Sequence, residues 1–409
     1  MGRSVPIGGN DDGWLVLAHA LHRCSLLSGD EARPTLARAA DAIVINAVAA
    51  GMPAPSVLLR SACALRAMTD PSHVLESGNT AVVELFVATQ GVAEEQELAG
   101  ACGLAVVTLN SLLTAFGNHV PARARGNVLA QLGRAVRQLG APDLAVEYYN
   151  DAMLLGYEYD ALDVVARALL GLGVMALLRG NYPKARKQFE RALVNADRAH
   201  DPELIRKAHH GLQNCGIASG DFDSALVHGW NVLRLCIAPD SRAEALMNMA
   251  EICRLTGEHD AAMRVYSVAM EWSSHKRVRL HALSGALQSA VTIHRLPEAR
   301  RFLAEIQELM PTVTDVYTRA SVGVEIAGTL FQLGDTTDAS ALLEKSSALA
   351  VENSFHQVVH QAELQMNSWA TALPPIEPPR TVKRRRPPMR SENFRQVLRS
   401  LKDLTSVAL

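Results

Sequence analysis

A helix, turn, helix pattern that recurs every 37 to 40 residues constrains this chain more than any other feature of its sequence. Each turn begins with glycine, or once with histidine, and an alanine stands five residues after each turn start. A period of this length is typical of stacked helical hairpins, so the alanines are predicted to lie where the two helices of a hairpin cross. The turns are Gly140-Ala141, Gly180-Asn181, Gly220-Asp221, Gly257-Glu258, His294-Arg295 and Gly334-Asp335, and the alanines are Ala145, Ala185, Ala225, Ala262, Ala299 and Ala339.

Larger side chains and the overall composition support the same fold class. A larger residue usually stands nine positions after the turn start, where it is predicted to wedge between neighbouring hairpins, and Gly229 is the exception. Aromatic residues make up 5% of the chain, and β-branched residues rarely form runs bounded by turn residues, so strands find little support. The predicted fold is an all-α solenoid of antiparallel helical hairpins. The wedge residues are Tyr149, Phe189, Tyr266, Leu303 and Leu343.

One unit, residues 166–199, carries a resemblance to a known family. Its Leu-Gly pair, its Gly-Asn-Tyr turn and its two small residues resemble the tetratricopeptide repeat, although the opening tryptophan of that repeat is missing from every unit. The spacing exceeds the usual 34 residues of that family, and in this it resembles the lengthened repeats of sensor arrays in bacterial regulators. The resemblance covers about residues 122 to 355 and implies a superhelix that binds proteins or peptides. The matching residues are Leu172, Gly173, Gly180, Asn181, Tyr182, Ala185, Phe189 and Ala192.

The pattern also predicts how the chain is organised. Residues 14–121 show helical periodicity without a clean repeat, which favours degenerate capping hairpins over an unrelated domain. The terminal helix is predicted to begin after Ser391 as N-cap, with an apolar stripe that includes Phe394, Leu398 and Leu401. The predicted segments are a disordered N-terminus (1–13), capping hairpins (14–121), a repeat array (122–373), a Pro-rich basic linker (374–390) and an amphipathic helix (391–409).

Sequence motifs give little support to catalysis, a metal or a cofactor. Gly171 and Gly173 spell GxGxxA, but they fall inside a predicted helix and not after a strand, as a dinucleotide site requires. His356 and His360 share a helix face without the glutamate of a zinc protease. The six cysteines form no CxxC pair, and neither an apolar leader nor an apolar run of about 18 residues is present, so we expect a reduced, cytoplasmic, non-catalytic protein without cofactors.

Binding is the function that the repeat favours. Residues of the first helix of each hairpin are predicted to line a concave groove. In the first three units these residues are mostly basic, although the body of the chain, residues 1–379, is acidic. Such a groove suits an acidic peptide, a chain terminus or a phosphorylated loop, and a simply solvated polar face is the alternative. The predicted groove residues are Arg134, Arg137, Arg167, Lys207, His210, Asn214, Asn248, Glu251, Arg254 and Gln288.

The last 30 residues carry a net charge of +7, against −9 for residues 1–379. A basic cluster followed by an amphipathic helix fits nucleic acid, an anionic membrane surface or a protein groove, or else a tether whose helix packs on the last repeat. The sequence therefore predicts an adaptor or scaffold with a protein or peptide partner, and as alternative a regulator that contacts nucleic acid or an anionic surface through its tail. The tail residues are Arg380, Lys383, Arg384, Arg385, Arg386, Arg390, Phe394, Leu398 and Leu401.

Overall fold

The computed structural model describes residues 11–24, 29–49, 57–67, 80–353, 355–371 and 390–408. These residues form nineteen α-helices and two short 3₁₀ turns, and none of them lies in a strand. The chain divides into two compact units, Met1–Gly211 and Leu212–Leu409, with the division inside one helix. The fold is therefore all-α, as the sequence predicts.

The helices follow one another with short connections. The first unit contains α1 (Asp11–Cys24), α2 (Gly29–Ala49), α3 (Val57–Ala67), α4 (Thr80–Leu98), α5 (Cys102–Phe116), α6 (Ala122–Gln138), α7 (Pro142–Glu158), α8 (Leu162–Leu178) and α9 (Tyr182–Arg198). The division falls in α10 (Pro202–Ser219). The second unit continues with α11 (Phe222–Leu235), α12 (Pro239–Leu255), α13 (His259–Trp272), α14 (Lys276–Thr292), α15 (Leu296–Leu309), α16 (Val316–Leu333), α17 (Thr336–Glu352), α18 (His356–Thr371) and α19 (Glu392–Ala408).

Consecutive helices pack as antiparallel hairpins, and the turns between them need a left-handed backbone. The turn glycines have φ between 70° and 91°, a region open to glycine at little steric cost. Where the glycine is missing, His294 takes the same conformation with φ of 60°. The six crossing alanines are all at most 1% exposed, so the predicted register of the hairpins is the observed one.

The sequence reading missed one further hairpin, formed by α4 and α5. Gly100 lies 40 residues before Gly140 and has φ of 80°. Ala105 and Leu109, five and nine residues later, are fully buried. The same register therefore extends one unit further toward the N-terminus, into the region predicted to hold degenerate hairpins.

Aromatic rings wedge into gaps that glycines leave in the facing helices. A Cβ built on Gly133 or Gly171 would lie only 2.7 or 2.2 Å from the ring of Tyr149. Phe189 occupies the corresponding place against Gly173, where a Cβ would lie 2.6 Å from the ring. The GxGxxA string therefore serves ring packing inside α8.

In the unit with Gly229 at the wedge position, other side chains fill the space between neighbouring hairpins. A Cβ at Gly229 would meet the Gln213 amide nitrogen at 2.6 Å and the Met249 side chain at 2.9 Å. Gln213 is itself fully buried. The side chains of α10 and α12 thus fill the space that a wedge occupies elsewhere.

The two ends of the chain depart from the predicted boundaries. Residues 1–10 and 372–389, which hold most of the predicted disordered N-terminus and of the Pro-rich linker, lie outside the described residues. Helix α1 begins at Asp11, so the last three residues that we expected to be disordered are helical.

Helix α19 packs within the second unit against α11 and α13, not against the last repeat as the tether interpretation expected. Its apolar stripe joins the core of that unit, where Phe394 and Leu401 are at most 1% exposed. Ser391 caps the helix by accepting a hydrogen bond from the Phe394 amide at 3.1 Å. The Ser391 amide in turn donates to Oδ2 of Asp223 on α11 at 2.6 Å, which anchors the start of the helix.

Candidate functional site

In the first unit, the predicted groove residue Arg134 is already engaged by a carboxylate. Its Nε and Nη2 donate to the two carboxylate oxygens of Glu97 at 2.8 and 3.1 Å. Only 4% of the Glu97 side chain is exposed, and Gln131 donates to it as well, at 3.2 Å. A bidentate pair is the strong form of an arginine–carboxylate interaction. Arg134 therefore joins α6 to α4 and is not free to bind a partner's carboxylate.

Two further basic residues of the predicted groove also lie beside carboxylates. Arg167 on α8 lies 3.6 Å from Asp201, and Lys207 on α10 lies 3.4 Å from Glu203. The positive charge expected along the first three units is therefore largely offset by acidic residues of the protein itself. An acidic partner is correspondingly less well matched to this surface than the sequence indicated.

The remaining predicted residues near the middle of the chain are half-buried. Arg137 lies beside the Tyr149 hydroxyl; burial raises the pKa of Tyr149, and Arg137 opposes that rise. His210 belongs to the first unit and Asn214 to the second. None of these three lines the cavity described next.

In the second unit, four of the predicted residues converge on one cavity of about 310 Å³. Asn248, Glu251 and Arg254 come from α12 and Gln288 from α14, the first helices of two consecutive hairpins. The positions lie one turn or two apart on each helix, so their side chains share a face. The rest of the lining is Met247, Tyr266, His281, Gly285 and Glu325.

One wall of the cavity is formed by an ion pair, to which a tyrosine hydroxyl is hydrogen-bonded. Nε and Nη2 of Arg254 donate to the two oxygens of Glu251 at 2.8 and 2.5 Å, and the Tyr266 hydroxyl donates to the same carboxylate at 2.8 Å. Burial raises the pKa of Tyr266 well above its ordinary value, and the adjacent Glu251 adds to the rise. Tyr266 therefore stays protonated and keeps Glu251 oriented.

The opposite wall carries a second carboxyl group. Glu325 on α16 accepts a hydrogen bond from the Ser284 hydroxyl at 2.9 Å, and the Gln288 amide donates to that hydroxyl at 3.2 Å. The Glu325 side chain opens to the cavity, but the concave wall around it displaces much of the water that would solvate its charge. This burial raises the pKa of Glu325, while the hydrogen bond from Ser284 opposes the rise.

His281 completes this wall as a neutral group at physiological pH. Burial lowers its pKa, and the nearby Arg277 lowers it further. A neutral imidazole offers one donor and one acceptor. Together with the two carboxyl groups and the side-chain amides, it gives the cavity a dense set of hydrogen-bonding groups on a half-buried surface.

Sequence reasoning missed Tyr266, His281, Gly285 and Glu325 as lining residues. The repeat register could have indicated Gly285 and Glu325, because each stands nine residues before a turn start, as the predicted groove residue Asn248 does. Tyr266 was assigned only as a wedge; its ring packs on Gly285, where a Cβ would lie 2.3 Å away, and its hydroxyl reaches the cavity.

The tail residues divide into two groups. Arg380 and the cluster 383–386 lie outside the described residues. Arg390 is 3.4 Å from Asp223, with its guanidinium 5.1 Å from the centre of the Phe394 ring, and Leu398 is 8% exposed. The apolar stripe is thus already covered by α11 and α13.

The described residues also bear on two other kinds of site, a membrane span and a metal centre. None of the described helices combines the length and apolar character needed to cross a bilayer. Among the same residues, no three His, Cys, Asp or Glu side chains are grouped so that they could hold a metal ion.

Comparisons with known proteins identify the fold. No protein-family model and no curated protein matches the sequence. A STAND signal-transduction ATPase from Pyrococcus horikoshii with a tetratricopeptide repeat sensor matches 82% of this chain with 55% of its own, at a TM-score of 0.54 and 14% identity. Aspartyl phosphate phosphatase F from Bacillus subtilis matches 85% of this chain with 96% of its own, at a TM-score of 0.52 and 10% identity. The chain therefore has the α-solenoid fold of tetratricopeptide-type repeat proteins.

Proposed function

We propose that this chain is a non-catalytic adaptor or sensory scaffold of the cytoplasm that binds a protein segment or peptide on the concave side of its hairpins. The observation that carries the proposal is the cavity in the second unit, where residues from three consecutive hairpins meet. Repeat proteins of this architecture use such concave surfaces for binding. The tetratricopeptide array of the Pyrococcus neighbour, which its name describes as a sensor, has the same kind of fold.

The size of the cavity favours a single anchoring group over a whole folded domain. About 310 Å³ is at the lower end of ligand pockets, and it fits one side chain or chain end of an extended segment. The amides of Asn248 and Gln288 can pair with the peptide backbone that flanks such an anchor.

The charges of the cavity favour a hydrogen-bond donor as the anchor. Arg254 is paired with Glu251, whereas among the described residues Glu325 accepts a side-chain hydrogen bond only from Ser284. A carboxyl group in a partly desolvated site gains most from an amine or guanidinium. We therefore propose a basic side chain or an amino terminus as the group that the cavity holds.

Selection of displayed random peptides on the intact chain, followed by calorimetry, tests this function. Asn248→Ala combined with Gln288→Ala should weaken a selected peptide about tenfold or more, because each lost hydrogen bond contributes about 1 kcal/mol. Circular dichroism should remain unchanged. Gln307→Ala, at an exposed position of α15, is the matched control and should bind as the wild type does. If no peptide is selected, or if the double variant binds the peptide unchanged, the chain does not work in this way.

The alternative function, contact of the tail with nucleic acid or an anionic surface, gains no support from the described part of the tail. Insertion of the apolar stripe into a membrane or a partner groove would first require α19 to leave α11 and α13. The burial of Phe394 and Leu401 makes that step costly. The adaptor function is therefore preferred.

A further inference from the structure

Helices α7 and α9, neighbouring second helices of the first unit, carry net charges of opposite sign. Helix α7 contains four acidic residues and no lysine or arginine, whereas α9 contains five basic residues and two acidic ones. The two helices flank α8, and Arg191 of α9 donates to the Tyr157 hydroxyl of α7 at 3.0 Å. The two charged faces therefore lie side by side.

The charge inversion follows the repeat register position by position. Both helices have 17 residues, and they begin 40 residues apart, so equivalent residues stand at equal heights. At about 100° per residue, each set falls within one stripe about 60° wide. The exposed equivalents are Glu147 and Lys187, Leu154 and Val194, and Glu158 and Arg198, and between them stand Asp151 and the half-buried Arg191.

The protein does not neutralise these stripes internally. Glu147, Asp151, Glu158, Lys187 and Arg198 form no ion pair with any described residue of the chain. A second helix elsewhere in the chain behaves differently: on α15, Arg301 lies 3.6 Å from Glu305 of the same helix. The charges of the α7 and α9 stripes are therefore available to another molecule.

Exposed apolar side chains lie inside the charged stripes. Leu154 is 63% exposed and Val194 59%, at equivalent positions of the two helices, with Tyr157 at 47% beside them. Apolar residues in the centre and charges toward the ends form the usual layout of a protein interface. The charge pattern then sets which partner fits.

We propose that the α7 and α9 stripes bind the same stripes of a second copy of this chain. A two-fold axis that runs parallel to the two helices and midway between them places α7 of one copy opposite α9 of the other, in parallel and at equal height. Each acidic position then faces the basic position of the same register, and Leu154 of each copy faces Val194 of its partner. A surface that is complementary to itself is the requirement for a two-fold dimer.

The dimensions make this a weak and salt-sensitive dimer. Two helices of about 25 Å length and 10 Å width present about 500 Å² per copy, about 1,000 Å² in total, near the lower limit for a specific interface. Exposed ion pairs contribute little each and act through a field screened over about 10 Å at 0.1 M salt. Association should therefore be detectable at low ionic strength and lost at high ionic strength.

Sedimentation velocity of the intact chain over a range of concentrations, in about 50 mM and about 500 mM NaCl, tests the proposal. The α7 reversal, Glu147→Lys with Glu158→Lys, makes both stripes basic, and the α9 reversal, Lys187→Glu with Arg198→Glu, makes both acidic. Each variant alone should dimerise about tenfold or more weakly than the wild type. Mixed together, the two variants should form a heterodimer, because every reversed position then faces a reversed partner.

The matched control changes charge equally on another exposed helix. Glu344→Lys with Glu352→Lys on α17 should leave self-association as in the wild type. A wild type that stays monomeric at low salt would overturn the proposal, and so would reversal variants that associate normally. Loss of association in both variants without recovery in the mixture would also overturn it. Circular dichroism of each variant verifies that the helices are intact.

Discussion

Replacement of Gly171 by alanine tests the ring packing that joins successive hairpins of the first unit. A Cβ at this position would lie 2.2 Å from Cε1 and 2.3 Å from Cζ of Tyr149. The ring is 3% exposed, and it also contacts Gly133, where a Cβ would come within 2.7 Å of it. The ring is therefore buried between two helices and has little room to move away.

The expected effect is the difference between two opposing contributions. Glycine to alanine in a helix interior is favourable by about 1 kcal/mol, because alanine loses less backbone entropy on folding. To restore a normal contact the Tyr149 ring would have to move about 1 Å, and overpacking of this kind costs about 1–3 kcal/mol. The net result for Gly171→Ala is a loss of about 1–2 kcal/mol in the free energy of unfolding, since the short distance to a buried ring places the cost at the upper end of that range.

Urea unfolding followed by circular dichroism measures this loss. Gly103→Ala is the matched control, because Gly103 is also helical but its added Cβ would meet nothing within 4 Å, and it should raise stability by a few tenths to about 1 kcal/mol. In a Tyr149→Leu background the clash disappears, so Gly171→Ala should there become neutral or stabilising. If Gly171→Ala stabilises the wild type as Gly103→Ala does, or if its cost is unchanged without the ring, the wedge interpretation is wrong.

Three other predictions follow from burial and charge. Ala185→Leu should cost about 1–3 kcal/mol of stability by overpacking a hairpin crossing, and a melting temperature equal to that of the wild type would contradict this. The folded chain holds the pKa of Glu325 above its ordinary value of 4.5, so ionisation there costs folding free energy and wild-type stability falls as the pH rises through the raised value. Thermal melts of Glu325→Gln should therefore show an advantage over the wild type that grows from pH 4.5 upward and then levels off, and a pH-independent difference would exclude this origin. Leu401→Asp should cost at least about 3 kcal/mol and release α19, as hydrogen exchange would show, while the exposed Gln396→Asp on the same helix should have little effect.

The sequence alone was sufficient for the hairpin architecture. Turn glycines, crossing alanines and wedge residues each satisfy a local steric requirement; the alanine recurs in all six recognised units and the other two in most of them, so a pattern of spacings reveals the hairpins. The hairpin at Gly100 and Ala105 follows the same spacing but was recognised only in the structure. At the turn that lacks glycine, His294 has the same left-handed backbone conformation, so only the residue type differs.

Tertiary structure decided which polar residues are available for binding. Arg134 and Glu97 lie 37 residues apart, and nothing in their local sequence indicates that the one neutralises the other. The partial desolvation of Glu325 likewise depends on cavity walls contributed by three hairpins. Electrostatic properties of this kind depend on distances between side chains, which a repeat period constrains only to within a helix face.

The position of α19 was also decided only in three dimensions. Its periodicity predicts an apolar stripe and its Ser391 predicts the N-cap, because both are local properties of a helix. The surface that the stripe covers is not a local property, since any groove of suitable width and apolar character would accept it. Asp223 on α11, far away in sequence, selects the docking place by binding the Ser391 amide and Arg390, and only the folded chain brings these groups together.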